Sequence, residues 1–309
     1  EENIESGGLG EKIAALVYKS THLSTFVSVA IEDGFVFDYG SRQDLHVKNK
    51  LDAASIKNKV RNLMTVPKTN CESINHQKVA DILTIPVDSL TSHTQKLIQN
   101  FDLKYKHLTT EELQLAILSV LEKSQKRKKV KSGRSRQPDW ERGWQENLDE
   151  YVSTEKENSL KPKYYRPEKF SRLDGTFVQP LTSDFVFKFS RILQSQVYET
   201  KLEAMDNIYE FGCGSGHNLH FLSKLYENKK IVGLDWSSAA VNLVNLLNKK
   251  ISNNITGQLF DFFSPDKNDV VVPPSSAFIT MGGLEQIGEK HNKFLDFVLK
   301  KKPEVVINI

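Results

Sequence analysis

Three glycines at alternate positions constrain this chain more than any other feature: Glu210-Phe211-Gly212-Cys213-Gly214-Ser215-Gly216-His217. They stand between an apolar, strand-like run over 208–211 and a helical pattern over about 217–227. Glycine lets a backbone turn sharply and approach a ligand closely, and the helix N-terminus that follows offers free N–H groups. Set between strand and helix, such a turn is a far more specific signal than the same glycines elsewhere. Four more strand-like runs follow at 231–234, 255–260, 277–281 and 305–309, with helical patterns at 237–250 and 285–301. The alternation predicts right-handed βαβ units, hence an α/β fold with a parallel sheet and helices on both faces. Ligands of such sheets bind beyond the carboxyl ends of the strands.

Two cofactor classes compete for the turn. The dinucleotide fingerprint Gly-x-Gly-x-x-Gly would need glycine at 217, where this chain has His217. Glu-x-Gly-x-Gly-x-Gly, with Glu210 two positions ahead of the first glycine, resembles the first motif of the class I S-adenosylmethionine-dependent methyltransferases. The similarity continues for the next hundred residues. Asp235 closes the second strand 19 residues after Gly216, where the resemblance implies a carboxylate accepting both ribose hydroxyls. A carboxylate is acceptor-only and can take two donors, so a dinucleotide protein would use the same residue. After the third strand, the resemblance implies that Asp261 accepts the adenine amino group, with Trp236 and Phe262 against the ring. Glu210 would lie near the cofactor's amino group. The segment 280–286, with Met281, is similar to the one running under the methionine part. The implied cofactor site is therefore Glu210, Gly212, Cys213, Gly214, Gly216, Asp235, Trp236, Asp261, Phe262 and Met281, and the implied fold a Rossmann-like methyltransferase sheet. The family's sheet normally has two strands beyond the fifth, one of them antiparallel; the sequence ends at Ile309, so a truncated core is expected.

The chain has 309 residues, enough for about two domains. With 39% apolar and 26% charged residues it reads as globular, and collagen-like, disordered and disulfide-scaffold classes are excluded. Two cysteines, Cys71 and Cys213, are too few for a disulfide framework or zinc cluster, so no metal and a reducing, cytoplasmic compartment are expected. The early apolar stretch 12–31 is interrupted by Lys19, Ser20, Thr21 and His22, short of the roughly 18 apolar residues of a membrane span. It also lacks the basic start and small-residue cleavage site of a secretory signal.

The organisation expected along the chain is an accessory α+β domain over 1–130, a basic linker over 131–138, an aromatic-rich helical lead-in over 139–206 and the cofactor-binding core over 207–309. Runs at 26–30 and 35–39, around a turn with Gly34, predict a hairpin. Thr109 and Glu112 have the form of a capping box, followed by Leu113, Ala116, Ile117, Val120 and Leu121 at helical spacing; a helix over about 110–128 follows. Phe185, Phe189, Ile192, Leu193 and Val197 predict another, leading into the core.

Methyl transfer from a sulfonium depends chiefly on alignment and needs a base only where the acceptor must lose a proton. His217, His220 and His291 are near enough in sequence to be weighed, and none stands out as a catalytic base. Tyr164 and Tyr165 lie where an aromatic face near a sulfonium would help by cation–π attraction, against core packing as the plainer role. Eight basic residues between Lys123 and Arg136, with no acidic one, leave 34 basic against 39 acidic elsewhere. They suit a solvated helix end and linker, or an electrostatic anchor for nucleic acid, although no aromatic residue is interleaved for stacking. The expected activity is methyl transfer to a small-molecule or sugar-like acceptor at oxygen. A nucleic-acid or protein methyltransferase and a non-catalytic scaffold are the alternatives, and the oligomeric state is not legible.

Overall fold

The computed structural model describes residues 13, 29–31, 40–64, 71–126, 132–167, 169–250 and 254–309. The chain forms two compact units, one of Glu1–Asn70 with His107–Leu118 and one of Cys71–Lys106 with Ser119–Ile309. In the first, helix α1 (Arg42–Lys48) starts at a Ser41/Asp44 capping box and α2 (Ala53–Met64) follows. The expected hairpin at 26–39 lies outside the described residues, except for 29–31.

The second unit holds both sheets. The smaller is built from β1 (Cys71–Ser73), β2 (Lys104–His107), β3 (Ser171–Leu173) and β4 (Thr176–Pro180) in the order β1-β2-β4-β3. Its strands come from both sides of residues 131–138. Helices α3 (His76–Leu83) and α4 (Ser92–Asn100) flank it, over a core that includes Val79, Leu103, Val178 and Ile192. Helix α5 (Thr110–Lys126) starts in the first unit with the expected capping box: Thr109 N donates to Glu112 Oε2 at 3.0 Å, and Glu112 N to Thr109 Oγ1 at 3.2 Å. Two long helices, α6 (Gln137–Thr154) and α7 (Phe185–Lys201), lead to the large sheet.

That sheet is an α/β, Rossmann-like parallel arrangement. Its strands are β5 (Asn207–Phe211), β6 (Lys230–Asp235), β7 (Ile255–Leu259), β8 (Ser276–Thr280) and β9 (Val305–Asn308), in the order β7-β6-β5-β8-β9 with every pairing parallel. Helices α8 (His217–Leu225), α9 (Ser238–Lys250), α10 (Leu284–Ile287) and α11 (Asn292–Lys301) make the connections. Side chains alternate across a strand, and two cores result. Ile208, Ile231, Ile255 and Ile279 pack with Leu219, Leu222 and Val244 on one face. Tyr209, Phe211, Phe278, Phe294 and Phe297 form a mostly aromatic core on the other. The helix expected over 285–301 is broken instead at Gly288 (φ +59°), where a Cβ would come within 2.6 Å of Ser132 Oγ. A 3₁₀ turn over Gly288–His291 separates α10 from α11.

Candidate functional site

Strand order reverses at β5, from which β6 lies to one side and β8 to the other. A crevice opens at such a point beyond the strand ends, and the glycine turn fills its floor. Gly212 N donates to Leu234 O at 2.6 Å, Gly216 N to Cys213 O at 3.0 Å, and Gly214 N to Asp235 Oδ2 at 2.9 Å. Asp235 Oδ1 accepts from Ser237 N at 2.9 Å, so this one carboxylate pins both the turn and the start of the next connection. Burial pushes its pKa up to about 6, against the two backbone donors that favour its charge. Each oxygen keeps a lone pair for a further donor.

Gly214 requires its lack of a side chain. It sits at φ +53°, and a Cβ there would meet the Trp144 ring at 2.5 Å. Gly216, at φ +71°, begins α8 and faces Val244 and Leu247. Cys213 is buried with its thiol pKa driven well up by burial first, then by Asp235 and Glu210, so it carries no reactive thiolate.

The turn is the floor of a 580 Å³ cavity. Eight of the ten residues expected at the site line it: Glu210, Gly212, Cys213, Gly214, Asp235 and Trp236, together with Phe262 and Met281. Gly216 and Asp261 do not. Asp261 instead faces Arg134, whose Nη2 lies 2.6 Å from Oδ2, and its Oδ1 accepts from Phe263 N at 2.9 Å. The rest of the wall comes from segments whose aromatics composition alone assigns to packing. Trp140 and Trp144, one helical turn apart on α6, stack at 5.5 Å, and Tyr164 and Tyr165, also on the wall, lie 4.9 Å apart. The i, i+4 spacing of the two tryptophans was the available signal. Trp140 Nε1 is buried without a hydrogen-bond partner among the described residues.

Glu210 is the most unusual group. Strand alternation turns it to the α8 face, where it is 1% exposed. Its Oε1 accepts from Asn218 Nδ2 at 3.1 Å, and Asn218 Oδ1 accepts from Arg191 Nη1 at 2.7 Å, so an amide separates the buried carboxylate from the buried guanidinium. Among the described residues Oε2 has no hydrogen-bond partner. Burial raises the Glu210 pKa to about 8 despite Asn218 and Arg191. A buried carboxylate oxygen left without a donor costs free energy unless a ligand supplies one. His217, also on the cavity wall, has its pKa pushed well below the usual imidazole range by burial and by Arg191. It is neutral at pH 7. Tyr165 and Phe187 flank its ring at 6.5 and 6.0 Å. His220 and His291 are not part of this wall.

Among the described residues no group of three His, Cys, Asp or Glu side chains could hold a metal ion, and no helix is long and apolar enough to cross a membrane. Of the basic residues between 123 and 136, the described Arg134 and Arg136 are both committed to this unit. Arg134 pairs with Asp261 and lies 4.9 Å over Phe263; Arg136 bonds Gln286 Oε1 at 2.9 Å and lies 5.0 Å over Trp140.

No family model matches the chain, and no curated protein matches it. Among solved structures it is similar to the plantazolicin methyltransferase BpumL, at 15% identity over 57% of this chain and 61% of that one, with a TM-score of 0.33. It is also similar to the StiE O-MT segment 961–1257 (21% identity, 37% and 39% covered, TM-score 0.31). A third is a SAM-dependent methyltransferase from Aquifex aeolicus (22% identity, 36% and 57% covered, TM-score 0.29). The chain spans less than two thirds of the length of each.

Proposed function

We propose that this chain is an S-adenosylmethionine-dependent methyltransferase acting at oxygen on a small-molecule or sugar-like acceptor. The observation that carries the reading is the unpartnered Oε2 of Glu210, buried beside a glycine turn whose Gly214 leaves no room for a side chain. The residues fit the group. Glu210 would hold the α-ammonium, the free lone pairs of Asp235 the ribose hydroxyls, and Trp236 and Phe262 the adenine. Asp261, paired with Arg134 and outside the cavity lining, would meet the adenine amino group through a lone pair its oxygens retain. When bound, the cofactor supplies a methyl group on a sulfonium, which an acceptor oxygen takes in an in-line displacement.

The chain's own contribution is alignment and the exclusion of water. Well-oriented reactants gain up to about 7 to 11 kcal/mol over a bimolecular encounter. The aromatic wall of Trp144, Tyr164 and Tyr165 presents faces that favour a cation by about 0.5 to 2 kcal/mol. His217, neutral and on the wall, can accept the acceptor's hydroxyl proton at a ring nitrogen, although its lowered pKa makes it a weak base. Calorimetric titration with S-adenosylhomocysteine tests the reading. Saturable one-to-one binding that Asp235→Ala removes is expected; absence of binding to folded protein contradicts it.

The alternative of a nucleic-acid anchor over 123–136 is weakened by Arg134 and Arg136, whose charges are already spent on Asp261, Gln286 and two aromatic faces.

A further inference from the structure

A second cavity of 460 Å³ lies in the same unit, and His217 lines it as well as the first. Its apolar walls are Leu97, Phe101, Leu160, Phe187 and Phe221. Its polar lining is unusual in what it leaves unpaired. Arg191 is 7% exposed, with its guanidinium 4.3 Å over Phe221 and 5.4 Å over Phe187. It donates to Gln194 Oε1 at 2.9 Å, Asn218 Oδ1 at 2.7 Å and His217 O at 3.4 Å, all of them neutral acceptors. Among the described residues no carboxylate lies within 4.0 Å of it. A buried cation is costly without an anion beside it.

His220 differs in having a carboxylate close by. It is 4% exposed, with Nδ1 lacking a hydrogen-bond partner among the described residues and Nε2 3.3 Å from Glu157 Oε1. Nε2 of His93, another wall residue, is buried and has no hydrogen-bond partner among the described residues. Lys161 is paired with Asp184, outside the cavity. Lys224 meets one carboxylate, Glu157, at 2.6 Å, and Arg191 faces a second acid, Glu210, only across the amide of Asn218. While Glu210 holds its proton or pairs with a ligand ammonium, the charge count has room for one further anion of single charge.

We propose that the second cavity binds the carboxylate end of the methyl acceptor, with Arg191 and His220 on the carboxylate and the apolar body against Leu97, Phe101 and Phe221. That the bound molecule is the acceptor rests on the reading of the first cavity above, through the shared wall residue His217; the carboxylate site itself does not. A singly charged carboxylate on an apolar body fits both the charge count and the walls, and a phosphate dianion exceeds the count.

Calorimetry on the full chain with sodium benzoate, inorganic phosphate and S-adenosylhomocysteine as separate probes tests this. Benzoate is expected to bind one site, also when S-adenosylhomocysteine is saturating, and at least about ten-fold more tightly than phosphate. Lys224→Glu, at a half-exposed position, should weaken benzoate at least about ten-fold, and Leu97→Trp should abolish its binding by filling the cavity; both should keep S-adenosylhomocysteine binding, which also reports folding. The proposal is overturned if benzoate fails to bind protein that binds S-adenosylhomocysteine, displaces it, binds no better than phosphate, or binds both variants unchanged. If benzoate binds and S-adenosylhomocysteine does not, the carboxylate site stands and the acceptor role is lost with the methyltransferase reading.

Discussion

The two cavities that share His217 are built on different principles. The first is made largely by the backbone: a glycine turn, the carboxyl ends of β5, β6 and β8, and one carboxylate, Asp235, bonded to two main-chain N–H groups. The second is made by side chains from four separated segments, around residues 93–101, 157–161, 187–191 and 217–224. A backbone-built site depends on local conformation and fails when one residue cannot adopt it. A side-chain-built site depends on charge and volume and degrades by steps.

The largest effect that would break this contrast concerns Gly214. Gly214→Val places a branched side chain at φ +53° and into Trp144. Strain of about 1 to 3 kcal/mol adds to an overpacking cost of similar size. S-adenosylhomocysteine affinity should fall at least about a hundred-fold, a loss of roughly 2.7 kcal/mol, and the melting temperature should drop, both read on one sample. Retained affinity would mean that the turn is not the floor of the site.

Next in size is Glu210→Gln. The folded-state pKa of about 8 lies above the ordinary carboxylate value. The native state therefore holds a proton that the unfolded chain has released, and this group's contribution to stability falls as pH rises from about 4.5 towards about 8. Denaturant unfolding at several pH values should show that decline in the wild type and a flatter profile in the variant. Ligand ammonium at Oε2 favours the ionised form, so wild-type binding should release protons and tighten as pH rises from 6 to 8. The variant should bind about ten-fold more weakly, roughly 1.4 kcal/mol, without that pH dependence.

Tyr164→Ala sharpens the comparison through ligand charge. Loss of an aromatic face costs a cation about 0.5 to 2 kcal/mol, so S-adenosylmethionine should lose more affinity than S-adenosylhomocysteine, which lacks the sulfonium charge. Equal losses would assign Tyr164 to packing alone. The smallest effect is expected for Arg134→Ala. Its ion pair with Asp261 is half-exposed and worth at most about 1 kcal/mol. Freed from Arg134, Asp261 should bind adenine better, and S-adenosylhomocysteine affinity should rise by up to about three-fold; a fall would place Arg134 itself in the adenine site.

The contrast also explains what could be read from sequence. The parallel sheet, the turn and the carboxylate closing β6 follow from short-range patterns, because strand alternation, positive-φ glycines and helix starts are local. The Thr109/Glu112 capping box is legible for the same reason. Arg191 was not, although a cation beside the apolar positions Ile192 and Leu193 marks α7 as carrying a buried charge. Its meaning comes from Asn218 and Phe221, residues brought near only by the fold. The capture of Asp261 by Arg134 spans 127 residues and has no local signature. The break at Gly288 depends likewise on Ser132, more than 150 residues away in the chain.

Titration of the full chain with S-adenosylhomocysteine in two buffers of different ionisation enthalpy, at pH 7, tests the central claim most directly. One site per chain and net proton release on binding, abolished in Glu210→Gln, are expected. Binding with no proton release, or no binding by folded protein, contradicts it.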